Sequence, residues 1–139
     1  MGKINVGRVI LGGLLAGLVV NIGEAILNLG IVARDMETAL RDRNLPPVSG
    51  SAIGVLICVS FLLGIVAVWT YAVARPRLGP GVRTAVIVGV AVWFLAAAYG
   101  NVGIALVGIL PASLTTVITL WALLEIVLGT VAGAWVYRE

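Results

Sequence analysis

Apolar residues run almost unbroken through four stretches of the chain, residues 9–33, 51–74, 82–99 and 113–137, and charged and turn-forming residues gather between them. An α-helix rises 1.5 Å per residue, so about 20 apolar residues cross the ~30 Å hydrocarbon core of a bilayer. Each stretch therefore reads as a membrane-spanning helix. The pattern predicts an all-α membrane protein, a four-transmembrane-helix bundle, in which residues 1–139 make one transmembrane domain.

The breaks are distinct in character. After the first run come Arg34, Asp35, Glu37, Arg41, Asp42 and Arg43, and then Asn44-Leu45-Pro46-Pro47, so residues 34–50 form a connector. Within it Glu37 and Arg41 stand four apart, while Met36, Ala39 and Leu40 make a weak apolar face. That spacing predicts a short interfacial helix on the outer membrane surface, with a solvated connector as the alternative. The second run closes at Arg75-Pro76-Arg77-Leu78-Gly79-Pro80-Gly81. Residues 100–110 are apolar and glycine-rich, and are expected to extend the third helix loosely near the outer surface rather than form an interfacial loop. The first run is too long for a signal peptide, lacks a small-residue cleavage site and contains Glu24, so it is expected to be a retained helix.

Composition agrees with the pattern. Hydrophobic residues make up 61% of the chain and charged residues 11%, with a mean hydropathy of +1.17, against roughly 25% charged in ordinary soluble domains. The chain has no histidine, and its single cysteine is Cys58. Intramolecular disulfides, His-ligated haem, zinc or di-iron centres, and Ser-His or Cys-His nucleophiles are thereby excluded. The expectation is a non-enzymatic protein without cofactor or metal. A net charge of +3 has no soluble fold to present it, so nucleic acid is not an expected partner.

Placement of the charges matters more than their sum. Lys3 and Arg8, the group Arg75, Arg77 and Arg83, and Arg138 all fall on one side of the four spans. Arg34, Arg41 and Arg43 fall on the other, among three acidic residues. Trp69, Tyr71, Trp135 and Tyr137 flank the more basic side, as interfacial aromatics do. The positive-inside rule then predicts both termini in the cytoplasm. Arg75, Arg77 and Arg83 are expected to set topology and touch anionic lipid headgroups.

Two spans carry polar faces. On the first, Gly13, Gly17, Asn21, Glu24 and Asn28 recur every three or four residues and fall within an arc of roughly 80°. On the fourth, Thr115, Thr119, Ala122, Glu125, Gly129 and Gly133 share roughly 120°. At 1.5 Å per residue Glu24 lies ~24 Å from Arg8 and Glu125 ~20 Å from Arg138, so the two carboxyls match in depth. The expected arrangement packs these two helices through Gly13, Gly17, Gly129 and Gly133 in the cytoplasmic half. They then separate around a polar cavity lined by Asn21, Glu24, Asn28, Thr115, Thr119 and Glu125. The third span is expected to add Tyr99 and Asn101 at the outer rim, and a small-residue face of Ala85, Gly89, Ala96 and Gly100. No Lys or Arg lies at that depth, so the carboxyls are expected to share a proton or hold a cation. Hydrogen-bonded packing glue is the bland alternative. Cys58, Trp93 and Trp121 read as packing residues.

Asn44-Leu45-Pro46-Pro47, the Arg75–Gly81 turn, Pro111-Ala112-Ser113-Leu114 and Gly133-Ala134-Trp135-Val136-Tyr137 together resemble small bacterial four-helix integral membrane proteins of no assigned activity. The resemblance covers most of the chain. It implies a four-helix, multi-pass fold in the bacterial inner (cytoplasmic) membrane, and carries over no functional residue. In size and in placing Glu24 in its first helix the chain is also similar to small multidrug transporters, without their sequence pattern.

The function expected first is that of a structural or accessory membrane protein, in contact with membrane lipid and assembled as a homo-oligomer or within a larger membrane complex. The second is a small proton- or cation-coupled transporter, or an ion- or ligand-binding protein, built on Glu24 and Glu125 with Asn21, Asn28, Thr119 and Asn101 around them. A lipid-directed enzyme ranks third, because acid–base groups are confined to the two glutamates.

Overall fold

The computed structural model describes residues 4–138; Lys3, counted above among the positive charges of one side, lies outside them. Every regular element among the described residues is helical. Helix α1 spans Val6–Ile26 and continues through a π-helical turn, Leu27–Ile31. Next come α2 (Ala33–Arg41) and α3 (Gly50–Leu78). Helix α4 (Val82–Trp93) passes through a second π-helical turn, Phe94–Ala98, into α5 (Tyr99–Val107), and α6 covers Ala112–Val136. Four continuous rods result, Val6–Ile31, Gly50–Leu78, Val82–Val107 and Ala112–Val136, each long and apolar enough to cross a membrane.

Local chemistry sets the ends. The Asn5 side chain accepts from the Arg8 amide at 3.1 Å, and the Ser49 hydroxyl from the Ala52 amide at 3.2 Å; each satisfies an amide that the first turn leaves open. The second rod runs beyond the expected stop at residue 74. Pro76 lies in its last turn, and Gly79 then leaves the helix at φ 83° while its amide still reaches the Arg75 carbonyl at 2.9 Å. The third rod continues past residue 99, in the direction expected of residues 100–110, and ends at Val107. Residues 100–107 are regular helix, closed at Gly108 with φ 75°, where the Ile109 amide bonds back to the Ile104 carbonyl at 3.1 Å. A left-handed glycine with a backward bond is a common helix stop, and it shows why this glycine-rich stretch is not a loop.

Helix α1 packs chiefly against α3 and α6, and α4 against α6. The seams run antiparallel, with Gly12 facing Gly133, Ala16 facing Gly129, and Gly13 and Gly17 facing Ile65 and Phe61. The main core joins all four rods through Val9, Ala16, Val20, Val68, Ala85, Val88, Ala122 and Ile126. A second cluster at the far end gathers Leu27, Val32, Ala39 and Leu114, with Met36 and Trp121 against it. Helix α2 is thereby seated on the ends of α1 and α6. The Arg43 guanidinium fastens its far end, donating to the carbonyls of Ala39 at 3.1 Å and Gly108 at 3.0 Å.

Candidate functional site: the carboxyl contact between α1 and α6

The glycine face expected to join α1 to α6 divides between two neighbours. Gly13 and Gly17 lie against α3, where a Cβ on either would strike the backbone of Ile65 or Phe61, and Gly64 fits between them. The α1 residues that meet Gly129 and Gly133 are Ala16 and Gly12 instead. At about 100° per residue Gly12 and Ala16 lie one step around the helix from Gly13 and Gly17. A stripe of small residues thus identifies a packed face and leaves the identity of the neighbour open. Asn21 goes with the α3 side: its Nδ2 donates to the Gly17 carbonyl at 2.9 Å and reaches the Ile57 carbonyl at 3.4 Å.

Two residues further on, Gly23 lies directly on Glu125, and a Cβ at this position would run into Oε2 and stand 2.9 Å from the Glu125 Cβ. Glu125 is 5% exposed. The Glu24 carboxyl lies near enough to act on it electrostatically. Glu24 is half-buried and anchored from the next turn, where Asn28 Nδ2 donates to its Oε2 at 2.8 Å and to its backbone carbonyl at 2.9 Å. The Trp121 indole closes the other flank by donating to the Gly23 carbonyl at 3.0 Å. Glu125 Oε2 is buried and has no hydrogen-bond partner among the described residues.

Asn101 and Thr119 meet in a separate contact. Asn101 Nδ2 donates to Thr119 Oγ1 at 2.9 Å, that hydroxyl donates to the Thr115 carbonyl at 2.7 Å, and the Trp93 indole donates to the Thr119 carbonyl at 2.8 Å. This knot ties the third rod to α6. Tyr99 turns outward, 75% exposed. The small face expected on the third span holds only at Ala85 and Gly89; Ala96 and Gly100 are exposed. The π-helical turn at Phe94–Ala98 widens the helix by an added residue, which rotates the inward face onto Ala97, Ala98 and Asn101.

The polar cavity expected around these groups is not what the packing produces there, since Gly23 fills the space in front of Glu125. Two cavities lie elsewhere, at the α2 end. One of about 140 Å³ is lined by Val32, Asp35 and Ser113, and one of about 250 Å³ by Asp35, Thr38, Asp42 and Ser113. At the opposite end the arginines expected at headgroups differ among themselves. Arg77 and Arg83 are exposed, whereas the Arg75 guanidinium lies 5.7 Å from the centre of the Tyr137 ring, which in turn meets Tyr71 edge to face.

Sequence reasoning missed the roles of Trp93 and Trp121. An indole N–H inside an apolar span needs an acceptor, so their positions carried a signal: each reports a backbone carbonyl on a neighbouring turn or helix. The two π-helical turns carried none. No family model, curated protein or solved structure matches the chain.

Proposed function

We propose that the chain is a non-enzymatic, multi-pass protein of the bacterial cytoplasmic membrane, with both termini inside, acting as a structural or accessory subunit. The observation that carries this reading is the tight packing of the spans around Glu125. Four rods long and apolar enough to span a bilayer meet through glycine backbones, and the space in front of the buried Glu125 is filled by Gly23. Close approach at glycines and hydrogen bonds between spans are the means by which helices associate in lipid. A packed interior of this kind supports a protein whose output is its shape and its contacts. In lipid nanodiscs at native-like density, native mass measurement should then find the chain in a complex larger than one copy. A purely monomeric chain showing a pH-driven flux would reject this reading.

A second reading is favoured by one specific observation. Glu125 Oε2 is buried without a hydrogen-bond partner among the described residues, near a second carboxyl, and a polar atom so placed in hydrocarbon costs free energy unless a proton or cation is shared there. Two π-helical turns adjoin this layer, and such turns frequently occur at functional sites. On this reading the pair is a proton or cation site. Glu24→Gln and Glu125→Gln, which keep shape and remove ionisation, should then abolish any pH-dependent flux or binding signal while leaving the fold intact.

A further inference from the structure

The surroundings of the carboxyl contact differ on its two sides. Toward the chain termini, α1 residues 12, 13, 16, 17 and 20 are closed in by α3 and α6. Gly12 meets Gly133, Gly13 and Gly17 meet Gly64, Ile65 and Phe61, Ala16 meets Gly129, and Val20 is 5% exposed. Backbone lies on backbone there. Toward the α2 end the flank is open. Every residue of α3 from 50 to 59 is exposed, so α3 leaves α1 beyond the contact of Asn21 with Ile57. Asn28 is exposed on that flank, Glu24 half-buried behind it and Glu125 buried behind Glu24. Polar side chains thus descend from open to closed in one direction.

We infer that Glu24 and Glu125 form a proton-binding site that exchanges only with the α2 side of the membrane, Glu24 taking up the proton and Glu125 holding it against the closed glycine seam. The inference rests on the second reading above and deepens it by naming the ligand and the side of entry. A proton is favoured over a metal ion on two grounds. Gly23 occupies the space in front of Glu125 that a coordination shell would need. Among the described residues, moreover, no three His, Cys, Asp or Glu side chains gather as ligands. The ionisable group facing Glu125 is Glu24 from α1. Around it α6 contributes Trp121, residues 50–74 of α3 contain no charged side chain, and Arg83, at the far end of α4, is the only one in α4 and α5. Uptake is a simple transfer: a hydronium ion arriving at Asn28 gives its proton to the Glu24 carboxylate and leaves as water, and the proton then passes to the Glu125 carboxylate, which restores the Glu24 charge.

The test is infrared spectroscopy of the protonated-carboxyl band in sealed proteoliposomes of known orientation, with the pH stepped on one side at a time. The expected result is a band that responds to a step on the α2 side, and to a step on the terminal side only after a protonophore is added. Glu125→Gln should remove the band and Glu24→Gln should remove its response. Glu125→Asp, which shortens the side chain and keeps the carboxyl, should shift the band and so assigns it if the Gln variant does not fold. A band that answers only to the terminal side, or to both sides without protonophore, overturns the sidedness while leaving the proton site standing. A wild-type protein with no such band, or one whose band survives both Gln variants, overturns the proton site and the reading beneath it.

Discussion

The indole nitrogen of Trp121 donates to the carbonyl of Gly23 across 3.0 Å, binding α6 to α1 at the level of the buried Glu125. Gly23 therefore has two functions in one residue: its carbonyl receives the indole, and its missing side chain makes room for Glu125 one turn along α6.

The first expectation follows from that double use. Gly23→Ala places a methyl group against Glu125 Oε2, and overpacking of a close contact costs roughly 1–3 kcal/mol. Gly30, with nothing within 4 Å of its own Cβ position, is the matched control. Thermal unfolding in detergent should show Gly23→Ala clearly lowered and Gly30→Ala near wild type. Equal behaviour of the two would mean that the α1–α6 contact is not packed as described.

A similar contrast exists within α3. Gly64 is wedged between the backbones of Gly13 and Gly17, whereas Gly54 has open space around it. Gly64→Ala should loosen the α1–α3 seam by about 1–3 kcal/mol, while Gly54→Ala should be neutral or slightly stabilising, because alanine is the better helix former. Reversible unfolding in mixed micelles reads both.

These contrasts also show what the pattern of residues could and could not convey. The four rods were legible, because a run of about 20 apolar residues has few other folded uses. Face was legible in part: of the expected stripe, Gly13 and Gly17 are packed against α3, whereas Asn28 is exposed. Partner was not: Gly13 and Gly17 belong to α3, and the seam with α6 uses Gly12, Ala16 and Gly23, which carry no polar atom to draw notice. For the third rod the extension beyond residue 99 was expected, but its regularity was not. Glycines at 100, 103 and 108 suggested irregular backbone, yet only Gly108 takes a positive φ. The other two are ordinary helical residues, tolerated where neighbouring contacts hold the helix. The π-helical turn before them, which rotates Asn101 inward, depends on packing and leaves no local signature.

The Asn101–Thr119 knot yields a third expectation. Asn101→Leu and Thr119→Val each remove one partner of the 2.9 Å hydrogen bond, and such bonds between spans contribute about 0.6 kcal/mol on average. A double-mutant cycle should return a coupling of that order. A coupling indistinguishable from zero would place the third rod's end free of α6.

The last expectation concerns orientation, and here structure sharpens the charge argument. The loop between α3 and α4 exposes Arg77 and Arg83. In the opposite connector Arg41 pairs with Glu37 and Arg43 is engaged by two carbonyls. Free positive charge therefore favours retention of the α3–α4 loop in the cytoplasm. In a Cys58→Ala background, Pro47→Cys and Pro80→Cys introduce thiols at two exposed turns on opposite sides. A membrane-impermeant maleimide added to spheroplasts should label Pro47→Cys at once and Pro80→Cys only after lysis. The reverse order would invert the topology, and labelling of both before lysis would mean that α3 does not cross the membrane.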